Sequence, residues 1–273
     1  MKSVAVTGSF DNLRSRHVRF LQEAAKYGSV HVALWCDETV QAVKGSPPEF
    51  PERERAYLLQ SLRFVERVTL VGGTIKPDIL PDLAGVKPDI WIVDERSDCA
   101  AKRAFAEAQG IEYRVVANAD LLGFPVAPFR SPALNSPRKR VLVTGCYDWF
   151  HSGHVRFFEE ASALGDLYVV VGHDANIKLL KGGEHPMLTQ AERLYMVHAV
   201  RCVNQATIST GHGWLDAEPE IAIIKPDFYV VNEDGDKPEK REFCGEHGIQ
   251  YVVLKRIPKE GLPMRESTEL RGF

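Results

Sequence analysis

The chain has 273 residues, 44% hydrophobic and 26% charged, a globular balance with room for two domains and far from the disordered range. A net charge of −3 supplies no basic field for counterion release, so broad nucleic-acid binding is excluded and any phosphate recognition has to be local. Five scattered cysteines without a C-x-x-C pair, no apolar run of membrane-spanning length and no signal-peptide pattern make a reduced, cytoplasmic protein without structural zinc the expectation.

In chain order, "VAVTG" from Val4 is a continuous apolar run, suited to a parallel strand buried on both faces. "VRFLQEAAKYG" from Val18 spaces apolar residues three and four apart and stops at Gly28, as helices do. A second strand, "HVALWCD" from His31, and an amphipathic helix, "ERAYLLQSLRFV" from Glu54, follow. "KPDIWIVDERSD" from Lys87 and "GIEYRVV" from Gly110 complete an alternation of strand and helix. After the proline-bearing stretch "APFRSPALNSPRKR" the series begins again. "VLVTG" (Val141), "VRFFEEASALG" (Val155), "LYVVVGHD" (Leu167), "AERLYMVHAVRCV" (Ala191), "KPDFYVVNEDGD" (Lys225) and "GIQYVVL" (Gly248) repeat it element by element. Arg14 matches His151 at 151 − 14 = 137, and Glu54 matches Glu192 at 192 − 54 = 138, so the spacing shifts by one residue over half a chain. This order predicts an α/β protein of two tandem Rossmann-like domains, 1–130 and 139–273, joined by a linker at 131–139. Each domain has a parallel sheet, right-handed crossovers and helices on both faces.

In open sheets of this kind ligands gather beyond the carboxyl ends of the strands. "TGCYDWFHSGH" is such an end, running into a helix N-terminus whose unsatisfied N–H groups hold phosphate. Gly145 and Gly153 remove bulk there, and His151 and His154 bring two hydrogen-bonding imidazoles to the same mouth. A zinc site at this histidine pair lacks a further ligand on a recognisable spacing.

"GCYDWFHSGH" resembles the G-x-F-D-x-x-H-x-G-H signature of the cytidylyltransferase-like nucleotidyltransferases. "LKGGEHPMLTQAER" is similar to that family's Lys-Gly element and Glu-Arg helix, and "RESTELR" to its C-terminal Ser-Thr helix start. The tandem arrangement resembles the phosphoethanolamine cytidylyltransferase branch. The resemblance implies transfer of CMP from CTP to a small phosphorylated alcohol, phosphoethanolamine-like, with pyrophosphate released. The Ser-Thr-x-Leu-Arg form is closer to adenylyl-transferring relatives, so ATP is the alternative nucleotide; a nucleotide-binding protein without turnover is a further reading. The resemblance assigns catalysis to His151, His154 and Lys181 and outer-phosphate contacts to Ser267 and Thr268; place in the chain adds Cys146, Tyr147, Gly153, Asn232 and Arg265 as nucleotide contacts, with core packing the other reading of Tyr147 and a plain turn that of Asn232. Asp148 orients the loop or meets the metal, and Mg2+ is carried mainly on the triphosphate. Arg193 is shared with Arg55, so a fold-level ion pair and a catalytic part are equally open.

The first copy departs from this pattern where chemistry is expected. Arg14 stands for the first histidine, Arg16 for the glycine, and Phe129-Arg130 for Ser267-Thr268, while His17 remains. The expectation is a degenerate first domain kept as the partner surface of the second, an intramolecular pseudo-dimer with one active site per chain.

Overall fold

The computed structural model describes residues 1–73, 76–83, 85–132, 137–267 and 270. It divides into two compact units, Met1–Phe124 and Pro125–Phe273. The stretch after Phe124 goes with the second unit because Phe129 packs on that unit's core and the Arg130 amide donates to Gln205 Oε1 at 2.8 Å.

The first unit contains β1 (Ser3–Gly8), α1 (Ser15–Ala25), β2 (Ser29–Trp35), α2 (Asp37–Lys44), α3 (Glu52–Ser61), β3 (Arg67–Val71), β4 (Ile90–Asp94), α4 (Ala100–Gln109) and β5 (Glu112–Val116). The second contains β6 (Arg140–Gly145), α5 (Ser152–Ser162), β7 (Asp166–Val171), α6 (Asp174–Lys181), α7 (Gln190–His198), β8 (Val203–Ile208), α8 (Glu218–Ile224), β9 (Phe228–Asn232), α9 (Pro238–Glu246) and β10 (Gln250–Leu254). Each unit holds a five-stranded sheet, ordered β3-β2-β1-β4-β5 and β10-β9-β6-β7-β8, with every pairing parallel.

The repeat extends to register. Val4 pairs with Val30 and Ile90, and Val141 pairs with Leu167 and Phe228. Strands β3 and β8 are not separable by periodicity alone. The apolar run to Val203 reads as helix, yet α7 ends at His198 and Val203 opens β8. These are edge strands, half solvated, whose residues alternate only weakly.

Both faces of the second sheet are covered. Val141, Val143 and Val169 look toward Phe157 and Phe158 of α5, while Leu142, Val170 and Tyr229 look toward Ile221 of α8 and Phe243 of α9. Strands buried on both faces require this continuous apolar composition. The feature that places the site is a shortened ladder. β6 and β7 pair over six residues, but β6 and β9 pair only at Val141–Phe228 and Leu142–Tyr229. Beyond Leu142 the two central strands part, and the strand order reverses at this point. A crevice at the carboxyl edge follows from that geometry. Among the described residues no helix is long and apolar enough to cross a membrane.

Candidate active site

The loop from Cys146 to His151 leaves β6 and turns directly into α5. Tyr147 takes a left-handed backbone (φ 57°), unusual for a residue with a side chain. Its ring lies over Gly145, where an added Cβ would come within 2.7 Å of Cζ. Gly145 therefore makes room for Tyr147. Asp148 holds the far side of the loop: its two carboxylate oxygens accept from the Met187 and Leu188 amides, each at 2.9 Å. With both oxygens engaged, Asp148 orients the loop.

His151 is the N-cap of α5. Its Nδ1 accepts from the Gly153 amide at 3.1 Å, and the His151 amide donates to His154 Nδ1 at 3.4 Å. Each ring thus satisfies an orphan donor at the helix start, in the manner of a capping box. In a neutral imidazole whose Nδ1 accepts, the proton sits on Nε2. Two Nε2–H donors are left for the cleft that both residues line. The rings stack with centroids 3.9 Å apart. Burial, then the nearby Arg256 and Arg265, lowers the His151 pKa to about 3. Burial, then His151, Arg256 and Lys181, pushes His154 well below its usual range. Both rings are neutral at pH 7.

Gly153 has a defined steric reason. A Cβ there would lie 2.9 Å from His151 Cε1 and 3.0 Å from Nδ1, so any side chain displaces the imidazole from its cap. Gly153→Ala is expected to lower turnover by ~10- to 100-fold, as ångström-scale misplacement of a reacting group does. Steady-state kinetics alongside circular dichroism will separate this from loss of fold.

The surrounding cleft lies within the second unit and has a volume of about 670 Å³, in the range of small-molecule sites. Cys146, Tyr147, Asn232, Arg265 and Ser267 line it, with Lys181 at the end of α6. Asn232 closes β9 at the strand reversal. Ser267 lies in a turn and donates to the Trp149 carbonyl at 3.3 Å; Thr268 lies outside the described residues. Among the described residues Lys181 forms no ion pair within 4.0 Å, whereas its counterpart Lys44 pairs with Asp11 at 3.5 Å. Arg193 is not part of the lining. Fully buried, it donates to the carbonyls of Leu188 (3.1 Å), Cys146 (2.6 Å) and Gly172 (2.8 Å) and to Asp174 (2.7 Å). Arg55 makes the equivalent bonds to Phe50, Ser9 and Asp37, which identifies the pair as a clamp common to both units. Sequence patterns missed Arg256, which approaches Asp234 (3.4 Å) and Glu266 (3.5 Å) at the cleft rim, and Lys240 at its floor. Neither belongs to the motifs that carry the family resemblance.

The equivalent mouth of the first unit is filled. Arg16, at the position of Gly153, sends its guanidinium to Asn118 Oδ1 (2.5 Å) and toward Asp94 Oδ2 (3.6 Å), across the carboxyl ends of β4 and β5. His17 keeps its capping bond, accepting the Arg14 amide at 3.1 Å, and burial lowers its pKa to about 4. The histidine survives there as part of the helix cap.

Among the described residues no group of three or more His, Cys, Asp or Glu side chains is placed to hold a metal ion.

Residues 142–272 match the family described as cytidylyltransferase-like. The chain is 32% identical over 135 residues to an FAD synthase of Methanocella paludicola, covering 48% of this chain and 93% of that enzyme. An FAD synthase of Aciduliprofundum boonei is 36% identical over 125 residues, 45% of this chain and 80% of the relative. A bifunctional protein HldE of Nitratiruptor is 36% identical over 107 residues, 38% of this chain but 22% of that longer protein.

Proposed function

This chain belongs to the cytidylyltransferase-like family and is a nucleotidyltransferase, and from that premise we propose that it transfers an adenylyl group from ATP to a small phosphorylated acceptor. The observation that carries the reading is the pair of neutral histidines capping α5 inside a nucleotide-sized cleft. Similarity to FAD synthases, whose product contains an adenylyl group, supports ATP over CTP, and the Ser-Thr-x-Leu-Arg form points the same way. The expectation of CTP and a phosphoethanolamine-like acceptor therefore yields to the adenylyl alternative.

In the proposed step an oxygen of the acceptor phosphate forms a bond to the nucleotide α-phosphorus. The bond from that phosphorus to its bridging oxygen breaks in line, and pyrophosphate leaves with the electron pair. No protein nucleophile is required; the protein positions the groups and stabilises the charge that builds on oxygen. His151 and His154 donate Nε2–H to the phosphoryl oxygens. Lys181 balances the β-phosphate as a compact charge. Ser267 reaches the outer phosphates, and Arg256 and Arg265 set a positive rim. Magnesium, in this reading, would be held mainly by the triphosphate oxygens and would supply neutralisation of their charge.

We also propose that the first unit serves as the inactive half of an intramolecular pseudo-dimer. Its histidine mouth is occupied by Arg16, so calorimetric titration with a non-cleavable ATP analogue should find one nucleotide per chain; two equivalent sites refute the assignment. Pyrophosphate release with ATP and CTP against a panel of flavin, sugar and alcohol phosphates tests the main reading. ATP is expected to support turnover with at least one of them, and activity with CTP alone restores the cytidylyl reading.

A further inference from the structure

A lysine stands in this cleft at a position where the fold calls for an apolar residue. Helix α9 buries Lys240, Phe243 and Cys244, the i, i+3, i+4 stripe that faces the sheet. Phe243 and Cys244 join the apolar layer with Leu142 and Tyr229, but Lys240 brings an ammonium group to the end of that layer. It is 7% exposed, and among the described residues no carboxylate lies within 4.0 Å of Nζ. Its hydrogen-bond contact is long, 3.5 Å to Thr144 Oγ1, which also shares a 2.9 Å bond with the Tyr229 hydroxyl. The Tyr229 ring lies 5.6 Å from Nζ. Asp216, the facing acid, already accepts from Ser209 at 2.7 Å. Burial is the first cause that lowers the Lys240 pKa; Asp216 opposes it and Lys237 adds to it. A desolvated cation with so little compensation costs stability, and proteins keep such groups where a ligand supplies the missing charge.

Two further observations locate that ligand. Lys240 and Thr144 line the cleft, at the point where β6 and β9 separate beyond Leu142. Tyr147, 5% exposed and also on the cleft, has a buried hydroxyl without a hydrogen-bond partner among the described residues. The crevice therefore has unused donors. The first unit shows the alternative: Lys102, the counterpart at 240 − 102 = 138, is partly exposed and donates to the Ser97 carbonyl at its own helix start.

We propose that Lys240 is the acceptor-binding cation of this enzyme, receiving the anionic oxygens of the acceptor's phosphate at the floor of the β6–β9 crevice. The assignment rests on the nucleotidyl-transfer reading and gives it a specificity residue: acceptors carry a phosphate dianion, and their uncharged analogues are rejected. The nucleotide's triphosphate is served separately, by the histidines at the α5 start and by Lys181 at the end of α6. A lysine that donates to a dianion contributes a charge-assisted hydrogen bond, which its removal forfeits.

The test is calorimetric binding of inorganic phosphate to the full chain and to Lys240→Met, with and without saturating α,β-methylene-ATP. In the presence of the analogue, wild-type protein is expected to bind phosphate and Lys240→Met at least tenfold more weakly, with the analogue's own affinity unchanged within twofold. Lys240→Arg should recover part of the loss. The thermal midpoint of Lys240→Met should equal or exceed that of wild type, since a lysine serving structure would lower it on removal. Equal phosphate binding by both proteins, or no phosphate binding by either, overturns the proposal. So does a matching loss of analogue affinity, which would make Lys240 a nucleotide ligand. Failure of the unmodified protein to bind the analogue instead refutes the adenylyl reading, and the nucleotide-free titration then decides Lys240 by the same tenfold criterion.

Discussion

Replacing His154 by alanine is expected to lower turnover by a factor of about 10² to 10³, the usual cost of removing one preorganised donor to a developing oxyanion. The half-buried ring sits between Tyr147, edge-on at 5.3 Å, and Phe150, stacked at 5.6 Å, and its Nδ1 is tied to the His151 amide, so its Nε2–H is held in one direction before substrate arrives. A donor held this way needs no reorganisation during the reaction, and its loss should appear in kcat more than in the KM for nucleotide. His154→Gln, which retains a donor, should recover part of the rate. His17→Ala is the matched control: the same cap position in the first unit, with the mouth beside it taken by Arg16. Its expected effect on kcat is under twofold. Steady-state kinetics of the three variants decides the matter, and equal losses for His17→Ala and His154→Ala would place catalysis in both units.

Acidification is the second large effect. His17, His151 and His154 have folded pKa values of about 4, about 3 and well below 6.5, each lowered chiefly by burial. In the unfolded chain all three protonate near 6.5. Between pH 6 and pH 4 the unfolded state therefore binds more protons than the native state. Stability is full above pH 6.5 and falls as the pH drops, until the folded pKa of each group is passed. With three protons taken up on unfolding, the slope reaches at most ~4 kcal/mol per pH unit near pH 5. Two of the three histidines belong to the second unit, so its calorimetric midpoint should fall about twice as steeply as that of the first. His17→Asn should flatten the first unit's dependence alone. Midpoints that stay level from pH 7 to pH 5 would mean that the imidazoles are charged in the native state.

Much of this was legible in the chain. The repeated runs at Val4 and Val141, the doubled "HVRF" and the offsets of 137 and 138 imply two parallel α/β units, because burial on both faces leaves a continuous apolar signature. The helix start at His151 follows from Gly-x-Tyr-Asp spacing, which is local. What escaped was set by distance. The edge strands β3 and β8 carry no strong alternation, since one side of each is wet. Gly145 reads as clearance for a ligand, yet the space is taken by Tyr147, whose left-handed backbone no periodicity announces.

By itself, then, the amino-acid order determined the duplication, the strand and helix succession, and which copy retains both histidines. Tertiary structure alone decided three things: that Arg16 reaches Asn118 and Asp94, that the histidines are neutral, and that Lys240 faces inward at the cleft floor. The reason is physical. Spacing along a chain encodes hydrogen bonding and periodicity within a few residues, whereas charge state and access depend on desolvation by groups remote in sequence. Arg256, 256 − 154 = 102 residues from His154, helps to keep that ring uncharged, and only folding brings the two together.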